Sequence, residues 1–292
     1  MIEVRTLRLL DIAPTRPGEP AFVAAASGLC ELDGSLFVVA DTEHTLAVFP
    51  VQTAGPGVRH LLVLPGALEH APLPKPLKPD LEALCVLPGG QLLALPSGST
   101  SARRTGAVIS LQRGQPVASP RLLDLAPLFE RLTREVGPLN LEGAAVIGDS
   151  LWLAQRGNTA SPSALLEVDL RALAGTDVPA AAFRRAVPLA LGDVEGVPFT
   201  PTDLCPLPDG RLLICAVCED TADSYRDGAC VGAAIALVTP GQLRAERVER
   251  LEPTWKVEGL IARPGGSGLL LWMVCDADDP ARPSPLLEGR LA

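Results

Sequence analysis

Five short phrases hold the residues of this chain best suited to chemistry. They read Ser27-Gly-Leu-Cys, Glu82-Ala-Leu-Cys, Glu142-Gly-Ala-Ala, Thr202-Asp-Leu-Cys and Glu258-Gly-Leu-Ile, and their lead residues are 55, 60, 60 and 56 positions apart. If each lead residue occupies the same place in a repeated unit, three carboxylates and two hydroxyls gather around one axis. Carboxylates held that close repel one another, so either their pKa values rise or a cation sits among them. The set Ser27, Glu82, Glu142, Thr202 and Glu258 offers only oxygen. That suits Ca2+, which accepts six to eight oxygens in flexible geometry. Mg2+ fits less well, and Zn2+ poorly, because no His or Cys joins the set. The alternative is that the glutamates pair with Lys or Arg, or cap turns.

The elements that would position these residues are strands. Each phrase is followed by a turn (Asp33-Gly34, Pro88-Gly-Gly90, Gly148-Asp149, Pro208-Asp-Gly210, Pro264-Gly-Gly266) and then by an apolar run such as SLFVVA, QLLALP or RLLICAV. Two further strand-like runs complete most units. Four antiparallel strands repeated at this period predict an all-β, five-bladed β-propeller spanning 1–292 as one domain. A six-bladed ring is the alternative, but it needs a unit without the phrase, and the chain has no spare stretch for one. The N-terminal IEVRTLRLLDI resembles a fourth strand and is expected to complete the last blade, which removes an open edge. Two connections differ from the rest. Residues 65–80 are Pro-rich and predict a stiff crossover. Residues 124–137 place Leu125, Leu128, Phe129, Leu132 and Val136 at helical spacing, with Gly137 and Pro138 as a stop.

In such a blade the start of the first strand and the loop after the second share one face. That face then also carries Asp41, the Arg103-Arg104 pair, Arg156, Asn158, Arg226 and Asp276. Guanidinium groups bind phosphate or carboxylate bidentately. Arg103, Arg104, Asn158, Arg226 and Lys256 are therefore candidate contacts to a small anionic substrate. Arg156 and Asp41 are the candidate catalytic pair, one holding the anion and the other accepting a proton. Loop arginines pairing with loop aspartates would be the purely structural arrangement. Lys78 and Lys256, just upstream of Glu82 and Glu258, are charge partners or anion contacts. His44 lies on the same face, where it is either a general base or, as is commoner, a lone surface histidine. Cys215 and Cys218 are three apart on a strand, where they face opposite ways and cannot chelate one ion.

Composition narrows the partners. The 34 Asp and Glu outnumber the 25 Lys and Arg, giving a formal charge of −9; this disfavours nucleic acid and anionic membranes. No apolar run is long enough to predict a spanning helix. The start MIEVRTLRLLDI has charges inside its apolar stretch, which is unlike a cleavable signal. With seven cysteines, three of them at one repeat position inside strands, a reducing cytoplasmic setting is expected.

The phrases KPDLEALCVLP (78–88), NLEGAAVIGDSLWLAQRG (140–157) and KVEGLIARPG (256–265) resemble those of bacterial phytase-like propellers, among them relatives named for an esterase-like activity of phytase. The likeness runs over nearly the whole chain. The ring is also similar to that of calcium-activated nucleotidases (apyrases), five-bladed propellers with Ca2+ on the axis. Residue by residue that resemblance reaches Ser27, Glu82, Glu142 and Glu258. It implies a propeller with axial Ca2+. Metal-assisted hydrolysis of a phosphoester or related ester is the activity expected of such a site beside loop arginines. The other expectation is a non-catalytic propeller with a structural metal, whose loops bind a ligand or a protein.

Overall fold

The computed structural model describes residues 1–15, 17–53, 55–62, 64, 73–74, 76–117, 119–221, 229–277 and 279–292. Strand β1 (Ile2–Leu9) precedes a first four-stranded sheet of β2 (Ala26–Leu32), β3 (Ser35–Ala40), β4 (Thr45–Pro50) and β5 (Val58–Leu61). A second sheet holds β6 (Leu81–Leu87), β7 (Gln91–Pro96), β8 (Thr105–Ile109) and β9 (Arg121–Asp124). A third holds β10 (Leu141–Ile147), β11 (Ser150–Gln155), β12 (Ser163–Asp169) and β13 (Phe183–Leu189). The remaining strands are β14 (Val197–Pro206), β15 (Leu212–Glu219), β16 (Cys230–Val238), β17 (Arg247–Glu252), β18 (Val257–Gly265), β19 (Gly268–Cys275) and β20 (Pro285–Leu291).

Strands β14 to β17 form one antiparallel run and β18, β19, β20 and β1 another. The two are joined because β1 pairs antiparallel with β20 and, at Ile2 and Glu3, parallel with β17. The N-terminal strand therefore completes the last sheet, as its sequence predicts. It also bridges to the sheet before, which the sequence did not suggest. Asp193–Val194 adds a two-residue strand to the edge of β14.

Burial explains the order of strands within each sheet. The middle strands β3, β11 and β15 are buried along their whole length and read as continuous apolar runs, as strands covered on both faces must. The peripheral β13 and β17 carry RR and ER pairs and are largely exposed. The first strands β2, β6, β10, β14 and β18 pack against one another in a closed cycle. Apolar clusters fill the space between neighbouring sheets: Phe37 and Val39 against Leu84 and Leu92, Leu93 and Leu95 against Leu141 and Leu153, Trp152 against Phe199 and Ile214, Leu213 against Met273, and Val274 against Leu36.

Helix α1 (Ala126–Val136) covers the gap between the second and third sheets with Leu128, Phe129 and Leu132, and the Asp124 carboxylate accepts the Ala126 N–H at 2.9 Å. Cys215 and Cys218 fall in different clusters on opposite faces of β15. Among the described residues no helix is long and apolar enough to cross a membrane. The Pro-rich stretch expected over 65–80 lies partly outside the described residues.

Candidate functional site at the mouth of the axis

Every lead residue of the five phrases falls on a β-bulge. Pairing of the first strand with the second skips Ser27, Glu82, Glu142, Thr202 and Glu258 in turn. A bulge turns one side chain out of the alternation and is a common way to aim a group at a site. The residue after the bulge meets the next sheet. An added Cβ on Gly143 would lie 2.7 Å from Asp203 Cα, and one on Gly259 would lie 2.9 Å from Leu29. The Glu-Gly pairing in the phrases is thus a carboxylate aimed at the axis beside a glycine that lets two strands touch.

The aimed groups open on a cavity of about 190 Å3 lined by Ser27, Asp41, Lys78, Asp80, Glu82, Ser99, Thr100, Arg103, Asn140, Glu142, Arg156, Asn158, Glu219, Thr221, Lys256, Glu258 and Asp276. Seven carboxylates and four cations thus share this space. Backbone hydrogen bonds tie its rim together, alternately within a sheet and from one sheet to the next. Asp41 N–H reaches Ala25 O at 3.3 Å, Asp80 N–H reaches Asp41 O at 3.0 Å, Ser97 N–H reaches Asp80 O at 2.9 Å, and Leu141 N–H reaches Ser97 O at 2.9 Å.

Two walls differ in character. On one, two cations, Arg156 and Lys256, are shared among four carboxylates, Glu142, Glu219, Glu258 and Asp276. Arg156 lies 2.8 Å from Glu219 and 3.5 Å from Glu142, whose Oε1 also accepts from Asn140 at 2.6 Å. Lys256 lies 3.4 Å from Glu219, 3.9 Å from Glu258 and 3.8 Å from Asp276. Burial works against the Arg156 charge, but Glu142, Glu258 and Glu219 outweigh it and hold its pKa above the ordinary value. Burial also pushes Glu142 up and Glu258 well up, against the lowering pull of Arg156 and Lys256.

On the other wall, Asp41, Asp80 and Glu82 each offer an oxygen, and these oxygens all lie within 4.8 Å of one another. Asp80 adopts a left-handed backbone (φ 58°), which Asp tolerates better than most residues. Its Oδ2 is fully engaged, accepting from Ser97, from Ser99 at 3.2 Å and from Arg103 at 2.8 Å. Its Oδ1 faces Lys78 Nζ at 2.8 Å, and the same ammonium bonds Asp41 Oδ2. Asp41 Oδ1 is buried without a hydrogen-bond partner. Burial, then the neighbouring Asp80 and Glu142 charges, push Glu82 well up; burial raises Asp41 against the opposing pull of Lys78.

The oxygen ligands expected from the phrases are distributed unevenly. Glu82 belongs to the close trio, while Glu142 and Glu258 sit with Arg156 and Lys256 across the cavity. Ser27 lines the cavity, but its hydroxyl donates to the Leu81 carbonyl of the next sheet. Thr202 is fully buried and donates to Val257 O at 2.6 Å, so both hydroxyls stitch neighbouring sheets. Asp41, Arg103, Arg156, Asn158 and Lys256 line the cavity. Arg104 instead pairs with Glu130 of α1 at 3.0 Å, and Arg226 lies outside the described residues. His44 is buried and does not line the cavity.

Asp80 was missed. It precedes the strand by one residue and stands two before Glu82, so a search restricted to lead residues passes over it. The KPD triplet that brings Lys78 and Asp80 together was the available signal.

A family model of unknown function (DUF6910) matches residues 74–280. The chain belongs to that family. DUF6910 carries no assigned activity, and this match gives no support to the phytase-like resemblance. No curated protein matches the chain as a relative. Among solved structures, this chain resembles a putative exo-β-1,3-galactanase from Bifidobacterium bifidum, at 10% identity over 98% of this chain and 94% of that one, TM-score 0.52. A thermostable family-43 glycoside hydrolase is similar at 11% identity over 96% and 93%, TM-score 0.50. The Kuenenia stuttgartiensis hydrazine synthase aligns at 11% identity and TM-score 0.42 over 90% of this chain, which spans 59% of that one. The first two likenesses, at this identity, show the fold alone, a β-propeller of four-stranded antiparallel sheets, and leave the chemistry to the site.

Proposed function

We propose that this DUF6910 chain is a five-bladed propeller that binds a divalent hard cation, Ca2+, on the axis through Asp41, Asp80 and Glu82. The closed cycle of first strands supports the blade count. The observation that carries the cation is the trio of oxygens within 4.8 Å, one of whose members, Asp41, has a buried oxygen without a partner. The donors are all oxygen, which favours Ca2+ over Zn2+. This narrows the ligand set from the five lead residues to one of them plus two loop aspartates.

The cavity beside the cation takes a small polar ligand. Carboxylates outnumber cations there, so an anionic ligand enters only with the metal in place. Arg103 and Arg156 already hold carboxylates, so they contact an anion only by exchanging partners. Ligand binding is therefore the leading reading. Hydrolysis of a phosphoester or related ester is the second. It is favoured by the room beside the trio and by Arg156 and Asn158 on the wall. A bound cation would polarise the substrate oxygen, and Asp41 or Glu82 would take the proton.

The test is calorimetric titration with Ca2+, Mg2+ and Zn2+, followed by a panel of phosphoesters, nucleotides and lactones with and without chelator. Ca2+ binding with no turnover supports the binding reading, and chelator-sensitive turnover supports the second. Failure to bind any divalent ion overturns both.

A further inference from the structure

The trio contains a cation of the protein's own. Asp80 can offer a metal only Oδ1, because Ser97, Ser99 and Arg103 take Oδ2. Oδ1 is the oxygen that Lys78 holds at 2.8 Å, and the same ammonium occupies Asp41 Oδ2. A divalent ion and the Lys78 ammonium therefore need the same Asp80 oxygen, while Asp41 Oδ1 stays open to the ion. The backbone beneath the lysine is fixed, since Leu77 N–H and Lys78 N–H both reach Pro74 O, at 2.8 and 3.2 Å. The flexible four-carbon stem lets the charge move while the backbone stays.

We propose that Lys78 is the resident occupant of the cation site, and that a divalent cation binds only as the ammonium leaves. The proposal rests on the cation reading above and adds a regulatory consequence. Metal affinity is lowered by the fraction of molecules in which Lys78 holds the site, and metal binding releases a lysine from a nearly buried position toward the cavity. The protein then carries a different charge at the mouth of the axis in its two states: Lys78 paired inward without metal, and presented to a ligand with it. An anionic ligand would meet that ammonium only in the metal-bound state.

Two measurements test this. The first is calorimetric Ca2+ titration of the wild-type protein and Lys78→Met, with circular dichroism to confirm folding. Removing the competitor is expected to tighten binding by roughly tenfold, the correction for a binding-competent state populated at about one part in ten. The second is amine acylation of the wild-type chain read by mass spectrometry, which is clean because the chain has only three lysines, at 75, 78 and 256. Acylation at Lys78 should rise severalfold on adding saturating Ca2+.

Equal affinities in the two proteins, or Lys78 acylation that is unchanged or slowed by bound Ca2+, overturn the displacement while leaving the cation site standing. Absence of Ca2+ binding in both proteins overturns the site itself and the proposal with it. Should Lys78→Met fail to fold, the wild-type acylation result decides alone.

Discussion

At the scale of single residues, Asp80 joins two cations and two hydroxyls through its two oxygens. Asp80→Asn leaves Lys78 and Arg103 short of their shared counter-charge in a nearly buried setting. Removing one partner of a buried pair costs about 3–5 kcal/mol. Urea unfolding of the variant should show a loss of this size, together with loss of Ca2+ binding. A variant as stable as the wild type would mean that solvent compensates these charges. Asp203, deeper on the axis, is a second buried carboxyl. Its oxygens accept Leu204 N–H at 2.8 Å and Leu260 N–H at 2.9 Å, yet burial outweighs these bonds and raises its pKa well above the usual range. The folded state therefore holds this proton more tightly than the unfolded chain does. Its contribution to stability is complete below the unfolded pKa of about 3.9 and is lost as pH rises toward the folded value. Asp203→Asn removes that slope, so the stability of the variant relative to wild type should rise between pH 4 and 7. A pH-independent difference would contradict the assignment.

At the scale of elements, the site depends on bulges in β2, β6, β10, β14 and β18 and on close contact between neighbouring first strands. Gly143→Ala places a methyl group against the Asp203 backbone, where no side chain can give way. Overpacking of this kind typically costs about 1–3 kcal/mol, and a backbone neighbour places it at the upper end. Chemical denaturation should show the loss, and a neutral result would mean that the two strands separate readily. The strands themselves were legible. Apolar runs between Gly, Asp and Pro turns located most of the strands of the four-stranded sheets, and helical spacing located α1. The bulges were not legible, because the first strands are buried on both faces, and a continuous apolar run has no alternation for a one-residue slip to break. Equal treatment of the five lead residues followed from that. Repetition in the sequence implied equal roles, whereas the loops that differ between units decide which carboxylate meets a cation. Asp80 and Lys78 enter from such a loop, and Thr202 is drawn away by the Val257 carbonyl.

At the scale of the molecule, β1 is the element that fastens the ends. It lies between β20 and β17, so deleting residues 1–9 leaves both strands with unpaired edges. The truncated chain should melt well below the full chain or accumulate as aggregate; a truncated chain that remains monomeric with the same Tm would show that the ring closes without it. The same closure brings loops from separate sheets to one mouth, where carboxylates exceed cations. Where a cation enters that mouth decides what the molecule can do there. The most direct measurement is the anomalous difference density of crystals grown with Tb3+ in place of Ca2+. A single strong peak is expected at Ca2+-like distances, about 2.3–2.6 Å, from oxygens of Asp41, Asp80 and Glu82, with Lys78 turned away. A peak between Glu142 and Glu258, or no peak on the axis, would contradict it.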